Sequence, residues 1–408
     1  MKQFSIPVKY RSPLITEIKK KRKEADKMKK DFLPTSLDFG SFEIKLARHF
    51  GFCYGVENAI EIAFQTVEQH PDKRIYLLSE MIHNPFVNED LTQRGVQFLM
   101  DTKGNSLIPF SSLTKDDIVI IPAFGTTIAI ENQLKNIGIQ IERYNTTCPF
   151  VEKVWNRAEQ IAAKGYSVVV HGKPSHEETR ATFSHSDVHA PTIVINDMDE
   201  AIVLGKFILE EKSMEEFDNF FKGRYSEGFE LGRDLQKFGV VNQTTMLASD
   251  TQAIADYLKE IVVKKYNLNS SNIEHHFADT RDTLCYATND NQTAVSHLLN
   301  EKADFAIVIG GRKSSNSSHL VELCEGKLPT YFIQSEEDIL SSDTIKCFNW
   351  RTHEEYTAKN YFPTDKKPII AITSGASCPD AIVEKVIEKI ASYYPGSKTI
   401  ENLLDHWN

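Results

Sequence analysis

The chain has 408 residues, 41% of them hydrophobic and 25% charged, with a net charge of −10; at about 100–200 residues per lobe this is room for two to four lobes. The acidic balance argues against a nucleic-acid partner, which calls for a basic surface to displace counterions from phosphates. No stretch approaches the ~18 uninterrupted apolar residues of a membrane-spanning helix, and the N-terminus lacks the apolar centre of a signal peptide, so no membrane partner and a cytoplasmic location are expected.

The N-terminal extension, residues 1–41, carries a basic run at Lys19–Lys23, Lys27, Lys29 and Lys30 with few apolar positions. It reads as an exposed helix, a solvated charged face more than a docking site for an acidic partner such as ferredoxin. A mitochondrial or plastid address is a further reading of this segment, although Glu17, Glu24 and Asp26 are unusual in one.

From Phe42 onward apolar, β-rich runs alternate with amphipathic segments. Expected strands are EIKLARHF, RIYLLSE, DIVIIPAF, IQIERYN, YSVVVHG, TIVIND, FGVVNQT, FAIVIGG, TYFIQS and PIIAITSG. Expected helices include YGVENAIEIAFQTVEQ, VEKVWNRAEQIAAKG, TQAIADYLKEIVVKKY and DAIVEKVIEKIASYY, with apolar residues at three- and four-residue intervals. The alternation implies an α/β fold with mainly parallel sheets, which turns polar residues just after the strands toward a ligand crevice. Three α/β lobes are expected at 42–147, 148–281 and 282–408, the second carrying a helical insertion at about 198–237.

Six cysteines in 408 residues are too sparse for the disulfide framework of a small secreted domain. Three share a setting: Cys53 in HFGFCYGVENA, Cys148 in NTTCPFVEKVW and Cys285 in DTLCYATNDNQTA each precede a helical segment. Free N–H groups and the dipole at a helix start favour thiolate there. Separations of 95 and 137 residues do not suit a local zinc knuckle or a ferredoxin-like C-x-x-C run, and place about one such cysteine in each lobe. Converging, three thiolates suit an iron–sulfur cubane with one open iron; for an arbitrary cysteine a buried packing role is the commoner reading. Cys324 and Cys347 take that packing assignment, and Cys378, in SGASCPD, leans the same way.

Polar groups at the strand ends suit an anion. Ser314, Ser315 and Asn316 lead into one helix, and Ser374 and Ser377 precede another opened by Pro379; hydroxyls and unpaired N–H groups at a helix start bind phosphate, although ordinary N-capping explains many such clusters. No phosphate-binding Gly-rich motif is present. His83 with Asn84, and His176 with Glu178, follow strands and offer proton donors, each His being equally suited to a structural loop role. Thr244 and Thr245 in NQTTML follow a strand and suit a substrate hydroxyl.

Taken together, FGFCYGVENA, EMIHNPFVN, PAFGTT, TTCPFVEKVW, HGKPSHEET, NQTTML, DTLCYAT, SSNSSHL and ITSGASCPD resemble the LytB family of 4-hydroxy-3-methylbut-2-enyl diphosphate reductases, in the family's order, from about Glu43 to Tyr394. The resemblance implies a pseudo-threefold arrangement of three lobes around a 4Fe–4S cluster held by Cys53, Cys148 and Cys285, with one iron open to the allylic diphosphate substrate. It implies reductive removal of an allylic hydroxyl, with electrons from ferredoxin or flavodoxin. In that scheme Thr244 orients the hydroxyl, Glu178 relays protons, and His83, His176, Thr245, Ser314, Ser315, Asn316 and Ser377 bind substrate. Many bacterial members carry a His in an A-H-G segment where this chain has Ala123, Phe124 and Gly125; the plant and cyanobacterial branch resembles this chain in PAFG, NQTTML and an extended N-terminus. Outside the resemblance, the cysteine pattern also suits another open-iron enzyme, such as a dehydratase or a quinolinate-synthase-like lyase, or a zinc-stabilised or thiol-sensing protein.

Overall fold

The computed structural model describes residues 4–28, 30–269, 272–278, 283–363, 366–399 and 402–403. Lys29 of the basic run and residues 279–282, which include the expected lobe boundary just ahead of Cys285, lie outside them. The chain divides into two compact units. Among the described residues, no helix is long and apolar enough to cross a membrane.

The first unit comprises residues 1–61, 82–89 and 286–408. Its sheet has five strands in the order Thr35–Asp38, Glu43–Leu46, Ile369–Ser374, Phe305–Ile309, Thr330–Ile333. The first pair is antiparallel and the rest are parallel. Runs such as FAIVI are buried along their whole length, as expected of parallel strands covered on both faces. Helix Ser315–Glu325 crosses over between the parallel strands Phe305–Ile309 and Thr330–Ile333, and helix Asp380–Ser392 follows Ile369–Ser374; together they contribute Leu320, Val321, Val383, Val386 and Ile387 to one continuous core. Cys324, Cys347 and Cys378 belong to that core, each 2% exposed or less, which bears out the packing role read for them.

The basic N-terminal helix is not the exposed element expected. Pro13–Ala25 is capped by Ser12, whose side chain accepts from Ile15 N, and opens with Pro at its first position. Leu14, Ile15 and Ile18 enter the main core, each contributing on the order of 1.5–3 kcal/mol of burial. The lysines occupy the remaining face.

The second unit, residues 62–81 and 90–285, contains two three-stranded parallel sheets. One is ordered Gln97–Phe98, Ile75–Leu77, Ile118–Ile120, and the other Thr192–Ile195, Ser167–His171, Phe238–Asn242. Helix Pro149–Ala162 packs Val154, Ala158 and Ile161 onto the second sheet. The charged, Phe-containing stretch beyond Asp197 is helical as expected, at Met198–Ile208, Met214–Phe221 and Leu231–Asp234. Phe207, Phe217, Phe221 and Phe229 form an aromatic core there.

Other elements also depart from expectation. IQIERYN forms a 3-10 turn at Ile141–Tyr144 instead of a strand; its buried residues, Ile141 and Tyr144, are three apart, the period of that helix and not of a strand. The antiparallel hairpin Thr344–Asn349 and Glu354–Lys359 was not anticipated, because its second strand is almost wholly exposed and carries no apolar alternation.

Candidate active site

In the first unit the parallel pairing of Phe305–Ile309 with Ile369–Ser374 brings two strand ends side by side, Ser374 opposite Ile309. Two loops therefore leave the same sheet edge, and each enters a helix. In the first, Ser314 caps Ser315–Glu325 by accepting from Ser317 N at 3.2 Å. In the second, Ala376 N donates to Asn316 Oδ1 at 2.8 Å, tying the loops together. Ser377 Oγ donates to His83 O at 3.5 Å. A Cβ on Gly311 would lie 1.9 Å from that same carbonyl, so only glycine lets the loop approach the His83 backbone this closely.

His83, Asn84, Ser314, Ser315, Asn316 and Ser377 are all buried in this cluster. Among the described residues Ser315 Oγ, Asn316 Nδ2 and Ser317 Oγ have no hydrogen-bond partner. A buried donor left unmet costs about 1–3 kcal/mol, and three at one helix start form a cradle suited to a multiply charged oxyanion. Ser317 was absent from the sequence-based set, although SSNSS signalled it.

Cys53 is fixed to the same loop, its N–H donating to Ala376 O at 3.2 Å. The next residue, Tyr54, donates its N–H to the hydroxyl of Tyr286, the residue after Cys285, at 3.2 Å. Helices begin at Tyr54 and Tyr286, and Cys148 is the cap residue of Pro149–Ala162. All three cysteines thus stand immediately before a helix and are partly exposed, unlike the three in the core. At Cys53 burial pushes the thiol pKa up, while the N–H groups of Val56 and Gly55 act in the opposite direction and favour the charged form.

In the second unit Glu178 and Thr244 form one buried constellation. Thr244 N donates to Glu178 Oε1 at 2.5 Å and Thr244 Oγ1 to Oε2 at 2.9 Å, with both residues at least 95% buried. His176 caps the helix Glu177–Asp187, its Nδ1 accepting from Glu178 N at 3.2 Å; that bond places the ring proton of the neutral imidazole on Nε2. Phe124 meets the His176 ring edge-on at 5.5 Å.

Gln243 was not anticipated, yet it organises the neighbourhood. Its Oε1 accepts from Lys173 N at 3.1 Å and Thr179 Oγ1 at 3.0 Å, and its Nε2 donates to Thr245 Oγ1 at 2.6 Å. The run of four polar residues in NQTT after an apolar strand was the available signal. Cys148 is held by its N–H to Ala123 O at 3.0 Å. The loop between Ala123 and Thr127 turns at Gly125, with φ +75°, where a Cβ would lie 2.6 Å from the Trp155 ring.

The LytB family model matches residues 44–391. The chain belongs to the LytB family. Among LytB relatives, the 4-hydroxy-3-methylbut-2-enyl diphosphate reductase of Crocosphaera subtropica is 39% identical over 352 residues, covering 86% of this chain and 85% of the relative. The chloroplastic reductase of Botryococcus braunii is 38% identical, covering 86% and 70%. For fold, this chain resembles a solved (E)-4-hydroxy-3-methyl-but-2-enyl diphosphate reductase, at TM-score 0.52 and 24% identity, covering 86% of this chain and 99% of that one. It also resembles the E-1-hydroxy-2-methyl-but-2-enyl-4-diphosphate reductase of Plasmodium falciparum, at TM-score 0.61 and 21% identity, covering 85% and 86%.

LytB membership raises the question of a cluster. Among the described residues no three His, Cys, Asp or Glu side chains stand together as a metal-binding group. What fits an iron–sulfur cluster is the donor set: three partly exposed thiols, each at a helix start, apart from three thiols committed to the core.

Proposed function

We propose that this chain is a 4-hydroxy-3-methylbut-2-enyl diphosphate reductase, a cytoplasmic enzyme that takes two electrons and two protons to convert its allylic substrate into isopentenyl or dimethylallyl diphosphate plus water. The observation that carries the reading is the loop at Ala376, whose carbonyl accepts from Cys53 and whose N–H donates to Asn316. A ligand cysteine and an anion cradle on one loop hold a diphosphate at a fixed place relative to a redox centre.

In this reading three lobes surround the centre, each supplying one ligand: Cys53, Cys148 and Cys285. A bound 4Fe–4S cluster supplies electrons, delivered from ferredoxin or flavodoxin, and a Lewis-acidic iron at its one corner without a cysteine. The Ser314–Ser317 turn, Ser377 and His83 bind the diphosphate, whose binding energy fixes a reacting carbon some distance away. Thr244 orients the substrate hydroxyl, with Thr245 beside it on the Gln243 network. Hydroxide leaves poorly, so C–O cleavage requires a proton delivered to that oxygen. Glu178 supplies the proton through Thr244, and His176, capping the Glu178 helix with its remaining ring N–H on Nε2, offers a donor to phosphate. Phe124 offers no hydrogen bond, so diphosphate contacts fall to the other residues named.

The test is anaerobic turnover of the allylic diphosphate with a one-electron chemical reductant. Formation of the two C5 diphosphates is expected; unchanged substrate in the presence of an intact, reducible cluster would overturn the assignment.

A further inference from the structure

The N-terminal segment lies outside the family match at residues 44–391, yet within the first unit it grips the loop that carries Cys53. The residues on either side of the cysteine are each met edge-on by a ring from this segment: Tyr10 against Phe52 at 5.9 Å and Phe4 against Tyr54 at 4.9 Å. Phe4 and Tyr10 are both 4% exposed. Lys19 stands over the Phe50 ring at 4.7 Å and donates to both carboxylate oxygens of Asp380, at 2.7 and 2.9 Å. Asp380 opens the helix that follows Ser377, so one lysine joins the N-terminal helix, the cysteine loop and the cradle's second helix. The segment's fold is itself fixed: Arg11 donates to Phe4 O at 2.7 Å and Ser5 N to Glu61 Oε1 at 2.7 Å. Phe4 and Lys19 share with Cys53, Tyr54 and Tyr286 the lining of a cavity of about 300 Å³.

We propose that Phe4, Tyr10 and Lys19 are positioning residues for Cys53, clamping its loop from the N-terminal side and limiting access to its thiol. Two aromatic edge contacts flanking one residue restrict the backbone on both sides of it. The inference rests on the reading of Cys53 as a cluster ligand for its purpose, but not for its test.

The test is the rate of iodoacetamide labelling at each cysteine of full-length, metal-free protein, read by mass spectrometry. In the Phe4→Ala, Tyr10→Ala double variant, and separately in Lys19→Met, labelling of Cys53 is expected to rise about tenfold while Cys148 keeps its wild-type rate. In iron-loaded protein both variants are expected to lose iron to a chelator several times faster than wild type, and Lys19→Arg is expected to restore much of the retention. An unchanged Cys53 rate in Lys19→Met, or an equal rise at Cys148, would overturn the clamp. If Cys53 labelling rises selectively while Cys53→Ser still retains its full iron, the clamp stands and the ligand reading fails.

Discussion

Glu178 and Thr244 were singled out from separate motifs, one in HEET after a strand and the other in NQTT after another, and the fold joins them through two hydrogen bonds. Glu178→Gln keeps the size of the side chain but cannot cycle a proton, so turnover is expected to fall about 100-fold or more with diphosphate affinity unchanged; steady-state kinetics beside equilibrium titration separate the two. Asn316 has the converse role. Its Oδ1 holds the Ala376 loop while its Nδ2 has no partner among the described residues. Asn316→Ala is expected to weaken inorganic diphosphate binding about tenfold, whereas the same change at Asn300, outside the cradle, leaves it intact. Equal affinity in both variants would remove Asn316 from the anion site. Gln243, which escaped the sequence reading, acts on Lys173 and Thr179 through contacts made only once strands distant in sequence lie side by side, whereas Ser317 adds a buried hydroxyl to a helix start already legible in SSNSS.

At the scale of elements, the β-branched runs and the three- and four-residue apolar spacing located the strands and helices that carry the site. Tyr54–Gln69 matches its expected bounds and Asp380–Ser392 lies within two residues of them. The N-terminal helix was legible as a helix but not as a buried one, because its three core residues are outnumbered by lysines on the other face. Turn-level packing was not legible at all. Gly125, with φ +75° and no room beside Trp155, shows this: Gly125→Ala is expected to cost about 1–3 kcal/mol and lower Tm by several degrees, read by thermal unfolding. The same neighbourhood contains His185, stacked on Trp155 at 3.7 Å and donating from Nε2 to Thr126 O at 3.1 Å. Burial holds its pKa below the ordinary histidine value, with the Thr126 bond opposing and His189 adding to the shift. The unfolded chain therefore takes up this proton first as pH falls. Its contribution to stability is intact above about pH 6.5 and declines below it. His185→Gln is expected to show a smaller loss of urea midpoint between pH 7.5 and 5.5 than wild type; an equal loss would assign the dependence to other groups.

For the whole molecule, composition and alternation were enough for an α/β fold with mainly parallel sheets, and nine motifs in order were enough for the family. Which strands pair was less accessible: Glu43–Leu46 lies beside Ile369–Ser374, a partnership more than 300 residues apart in the chain. That pairing, with the bond from Cys53 N to Ala376 O, is what brings the first candidate ligand to the cradle. The proposed division of the six cysteines follows. Cys53→Ser, Cys148→Ser and Cys285→Ser are each expected to lose iron and activity. Cys324→Ser, at a thiol whose pKa burial raises to about 12, is expected to keep both at some cost in stability. The most direct test of the whole account is anaerobic visible and paramagnetic-resonance spectroscopy of the purified protein, with iron and sulfide quantified, before and after adding the allylic diphosphate. About four irons per chain and a spectrum that changes when the diphosphate is added are expected. A zinc-loaded protein, or a cluster spectrum indifferent to the diphosphate, would contradict the proposed function.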